Sequence, residues 1–139
     1  MGYYSSFKAV FDAVKTAVET KDSVKTVVLG EQFSVGNLPK AVINAEPSPI
    51  GQATMGELTE TKVRGSIILI ILEYEPKDWF TDIITIMGDC VDAILEDRTL
   101  TGSVFDCIPT SFSPGEIKFK EKIYYGGIVR WEAQLHYEP

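Results

Sequence analysis

Few residues in this chain are able to do chemistry. His136 is the only histidine, and Cys90 and Cys107 are the only cysteines. A nucleophilic system needs the imidazole beside a hydroxyl or thiol, with a third group to orient it. His136 instead falls on the polar side of a terminal alternating segment, with Arg130, Glu132 and Gln134. That placement reads as a solvated residue. Cys90 falls among the apolar positions of a helical stretch, where burial without a nearby cation raises a thiol pKa and makes the sulfur inert. Cys107 stands beside Asp106, which disfavours a thiolate. Two cysteines give neither a metal-spaced set nor a disulfide framework, so both read as buried free thiols.

The carboxylates are more suggestive. Asp78, Asp82, Asp89, Asp92 and Glu96 recur at helical spacing and fall on one stripe. Asp89, Asp92 and Glu96 would be the oxygen ligands of a helical metal site. However, calcium normally takes its ligands from a tight glycine loop, and dinuclear bundles add a Glu-x-x-His motif that this sequence lacks. The stripe therefore reads first as a charged outer face, and nothing marks two carboxylates as opposed across a cleft for glycoside chemistry. The segment from Gly51 to Gly56 has no lysine for a phosphate loop. These readings predict a protein that is not an enzyme and holds no metal or cofactor.

Lys118, Lys120 and Lys122 form the one local basic feature. At period two they share one side of a predicted strand, with Ile117, Phe119 and Ile123 on the other. They read first as a solvated strand face that would also blunt an edge strand; the sharper reading is a contact with an acidic partner such as a neighbouring copy or passing DNA. Over 139 residues the formal net charge is −7, which argues against generic nucleic-acid binding. Apolar residues make up 45 %, enough for the core of one domain over 1–139. The start of the chain lacks the basic and apolar runs of a signal peptide, and Ile67–Leu72 is too short to span a bilayer.

The elements that must position these residues follow from periodicity. Phe7, Val10, Phe11, Val14, Ala17 and Val18 form the apolar stripe of a first helix, with Ser5 and Ser6 as caps. Strands are expected over Val24–Leu29, Pro39–Glu46 and Lys62–Tyr74, the last apolar at every central position and so covered on both faces or paired with another subunit. Pro47–Thr59 reads as a long loop. A second helix opens near Pro76 and Asp78, with Phe80, Ile83, Ile84, Met87, Cys90, Val91, Ile94 and Leu95 as its apolar face. Three more strands are expected: Ser103–Phe112, then Glu116–Tyr125 and Ile128–Tyr137, with turns at Ser113-Pro114-Gly115 and Gly126-Gly127. The order α-β-β-β-α-β-β-β predicts an α+β two-layer sandwich, a mainly antiparallel sheet with both helices on one face.

The order, length and character of these elements carry a resemblance. A short amphipathic helix leads to a strand ending at Gly30. A "PKAVIN" strand and a long loop follow, then "KVRGSIILIILEY" runs into "DWFTDIITIMGDCVDAILED", and the chain closes on "GIVRWEAQLHYEP". This resembles the tail terminator and tail-completion (minor tail) proteins of long-tailed phages and related viruses. The resemblance implies a non-catalytic virion protein at the head–tail junction. It also implies a ring, commonly a hexamer, that caps the tail tube, joins it to the connector or neck protein of the head, and lets genomic DNA through without reading it. It gives no residue contacts. A ring needs two different patches that recognise each other. The sequence offers the basic stripe of Lys118, Lys120 and Lys122 against the acidic stripe of Asp82, Asp89, Asp92 and Glu96. The 47–60 loop, with Met55 and Glu57, is a further candidate contact. The alternatives are another neck protein, such as a head-completion or stopper component, or a small-ligand or peptide-binding α+β module.

Overall fold

The computed structural model describes residues 3–30, 39–48, 59–72, 79–100, 104, 106–119 and 122–137. Helix α1 covers Tyr3–Glu19, with Val10, Phe11, Val14 and Val18 buried at the spacing of one helical face. Ser5 and Ser6 lie inside α1 and do not cap it. Strand β1 (Thr26–Leu29) follows, then β2 (Lys40–Ala45), β3 (Thr59–Leu72), helix α2 (Trp79–Leu95), β4 (Asp106–Phe119) and β5 (Lys122–Tyr137). Pro39 sits just before β2, and its carbonyl accepts from the backbone N–H groups of Lys25 and Thr26 at 2.8 and 3.3 Å.

The five strands form one sheet in the order β1-β2-β3-β5-β4. Only β1 and β2 run parallel; the other pairs are antiparallel. Both helices pack on the face built by Ala41 and Ile43 of β2, Val63, Ile67 and Leu69 of β3, and Val129, Trp131 and Ala133 of β5. The architecture is α+β. The opposite face carries Ile70 and Val42, only 1 % and 3 % exposed, and then a band of ion pairs: Arg64–Glu132 at 2.8 Å and Arg130–Glu46 at 3.3 Å. Of the apolar run of β3, Ile67, Leu69, Ile70 and Ile71 are buried, while Ile68 is half-buried.

The C-terminal half departs from the expectation. Two long strands stand where three short ones were expected. Ser113, Pro114 and Gly115 are inside β4, and Gly126 and Gly127 are inside β5. The chain reverses between Phe119 and Lys122, which pair with each other. Gly126 and Gly127 serve close approach instead of reversal. A side chain at 126 would run into the Leu69 carbonyl of β3, and one at 127 into the Met87 side chain of α2. Pro109 does not break β4; a register shift between Pro109 and Ser111 accommodates it on an edge strand, where proline and bulges are tolerated.

Candidate functional site

Helix α2 has more apolar surface than the sheet can cover. Ile83, Met87, Cys90 and Ile94 form its buried stripe, each fully shielded. Beside that stripe, at the same helical period, stand Phe80, Ile84 and Leu95, exposed to 52 %, 37 % and 49 %. Val91 is half-buried between them. The sequence grouped all of these as one core face; the structure divides them into a core stripe and an open flank.

The flank borders edge strand β4. Between them lies an open groove of about 530 Å³, lined by Gly88, Val91 and Asp92 of α2 and by Pro109, Thr110, Ser111 and Phe112 of β4. Phe112 is 42 % exposed. Gly88 is a helix-interior glycine, and a Cβ built on it meets no atom within 4 Å. The fold therefore does not require glycine there. Asp92 supplies the carboxylate at the rim.

The acidic stripe is only partly available to a partner. Ser23 donates its hydroxyl hydrogen to Asp89 at 2.6 Å, and the Lys21 ammonium donates to both Glu96 oxygens at 2.9 and 3.1 Å. These two contacts tie α2 to the turn after α1. The Glu96 carboxylate also raises the Lys21 pKa above its ordinary value. Asp82 and Asp92 remain exposed on α2. Asp78, Met55 and Glu57 lie outside the described residues.

The basic stripe does not lie on one strand. Lys118 is exposed near the end of β4, Lys122 begins β5 beyond the reversal, and Lys120 lies outside the described residues. Lys118 instead shares a rung with Ile123, which is 54 % exposed. The last three rungs of this ladder (Ile117 with Tyr124, Lys118 with Ile123, Phe119 with Lys122) have no β3 partner among the described residues. Among the described side chains, this hairpin end exposes the Lys118 ammonium and Ile123.

The thiols stand as the sequence reading placed them. Cys90 and Cys107 are both free and buried. Burial pushes each up to about 12, helped by Asp89 beside Cys90 and by Asp106 beside Cys107. Neither is a nucleophile at neutral pH. His136 pairs with Glu60 in the β3–β5 ladder. Among the described residues no group of three metal-ligating side chains comes together, and no helix is long and apolar enough to cross a membrane. No family model matches the chain, and no curated protein matches it.

What the geometry offers, then, is surface complementarity: a groove of mixed lining with the Asp92 carboxylate between α2 and β4, and a hairpin end elsewhere on the same chain that exposes Lys118 and Ile123. Sequence reasoning missed the groove because helical spacing does not separate a buried apolar residue from an exposed one on a wide stripe. Gly88, an isolated glycine inside that stripe, was the available signal.

Proposed function

We propose that this chain is a non-catalytic structural subunit of a long-tailed phage-type particle, placed at the head–tail junction. There it caps the tail tube as a ring and joins it to the neck of the head. The observation that carries this reading is the open flank of α2. Ile84 and Leu95 on the helix, with Phe112 on β4, are large apolar side chains exposed to 37 %, 49 % and 42 %. Contiguous exposed apolar surface of this kind marks an interaction site. The α+β order of elements, with a long edge strand and a hairpin end, agrees with the resemblance noted from the sequence. Partners in this reading are further copies of the chain, the tail tube protein and the head connector, with DNA passing through unread.

The groove also falls in the volume range of small-ligand sites, which keeps a ligand- or peptide-binding module as the second reading. Labelling the chain in purified particles and locating the label by electron microscopy separates the two. Label at the junction between head and tail is the expected result. Particles without label, combined with a small molecule retained by the purified chain, overturn the structural reading.

A further inference from the structure

We infer that the α2–β4 groove of one copy receives the β4–β5 hairpin end of a second copy, with Ile123 seated over Gly88 and Lys118 paired with Asp92. The inference rests on the assembly reading above and names its first contact.

Three observations point to this occupant. Packing among the described residues does not require a glycine at 88. Glycine in a helix interior costs about 1 kcal/mol relative to alanine, and a methyl group at 88 would meet nothing within 4 Å. A bare helix backbone lining an open groove is explained by something that approaches closely from outside. Second, the large apolar side chains left exposed among the described residues are concentrated on the two proposed surfaces. Phe112 lines the groove, Phe80, Ile84 and Leu95 share the helix side of its residue Gly88, and Ile123 sits at the hairpin end, with Ile108 the remaining one. Third, the charges match. Asp92 rims the groove, and Lys118 shares a rung, and so a sheet face, with Ile123.

The hairpin end cannot fill the groove of its own chain. Phe112 lines the groove, and Lys118 lies about 20 Å further along the same extended strand. The two surfaces therefore meet only between copies. Because they are different patches, the contact is heterologous, and repetition closes a ring or extends a filament according to the rotation between copies. The Lys118–Asp92 pair sets register and steers encounter, while the apolar surface supplies most of the affinity.

The test uses variants of the full chain with one added cysteine each, Gly88→Cys and Ile123→Cys, mixed with oxidised glutathione both in solution and in purified particles. Both positions are outside the core, and the two native thiols are buried. Thermal melts near that of the parent chain would verify that the variants fold. The mixture is expected to form the 88–123 disulfide at least tenfold faster than either variant forms its own dimer. The double variant is expected to give a covalent ladder. Lys118→Glu and Asp92→Lys are each expected to slow the mixed disulfide about tenfold, and their combination across two copies to restore it. A mixed disulfide no faster than the homodimers in both settings overturns the contact, as does a charge swap without restoration. Label at the junction without the 88–123 disulfide rejects this contact and leaves the assembly reading standing. The disulfide without label at the junction does the reverse.

Discussion

The indole of Trp131 lies against the bare Cα of Gly65, its partner on the neighbouring strand. A methyl group at 65 would overlap the indole carbons and come within 2.9 Å of the Asn44 carbonyl oxygen. Phe11 of α1 packs on the same indole with ring centroids 5.2 Å apart. This rung joins helix and sheet. Gly65→Ala is therefore expected to destabilise the chain by about 1–3 kcal/mol, read as a lower urea midpoint with an unchanged slope.

Two glycines of β5 give a graded test of the register. At 126 the obstacle is the Leu69 backbone; at 127 it includes the flexible side chain of Met87. Backbone cannot yield where a methionine can. Gly126→Ala is expected to cost more stability than Gly127→Ala, and Met87→Ala to relieve part of the cost at 127 only. Equal losses would mean that Gly126 does not meet β3 as described.

Stability and surface charge separate along α2. Asp89 accepts a hydrogen bond from Ser23 in a partly buried setting, so Asp89→Ala is expected to cost about 1–2 kcal/mol. Asp92→Ala and Asp82→Ala change exposed residues and are expected to stay within about 0.5 kcal/mol of the parent. Gly88→Ala should raise stability by roughly 0.5–1 kcal/mol, because the added methyl group replaces solvent. Denaturant titrations of the four variants check the ordering.

The buried thiols impose a pH dependence with a definite sign. Folding holds the protons of Cys90 and Cys107 more tightly than the unfolded chain does, since both pKa values rise from 9.0 to about 12. Their contribution is fully present below pH 9 and is lost as pH rises from there toward 12. At pH 10 the expected loss is about 1 kcal/mol per thiol. The Cys90→Ala/Cys107→Ala variant should show a shallower decline above pH 9 than the parent, whatever its stability at neutral pH. A parallel decline would contradict the burial of these groups. At neutral pH the native chain should react with a disulfide reagent only as fast as it unfolds.

The sequence was most readable where one period dominates. The stripe from Phe7 to Val18 and the alternation from Val129 to Ala133 report which side chains the core takes, and the structure buries them. The burial of Ile67, Leu69 and Ile70 was likewise legible, because a strand with no polar face must be covered on both sides or meet another subunit; Ile68 is only half-buried. Glycine and proline misled the reading of the C-terminal strands. A pair such as Gly126-Gly127 satisfies the chemistry of a hairpin turn and equally that of close strand and helix approach, and only the partners Leu69 and Met87 decide between them. The lysine stripe failed for the same reason: moving the reversal to follow Phe119 places Lys118 and Lys122 on different strands. Of the candidate site, the acidic stripe was visible on helical spacing. That Asp89 and Glu96 are bound to Ser23 and Lys21 depends on how α1 docks, which no local pattern encodes.

The central claim is that the open flank of α2 is kept for another copy and not for the fold. The most direct measurement compares parent and Ile84→Ser/Phe112→Ser chains for urea stability and for incorporation into particles. Both positions are exposed in the monomer. The predicted result is stability within about 1 kcal/mol of the parent, with incorporation reduced at least tenfold. Incorporation at the parent level, with the fold intact, would contradict the claim.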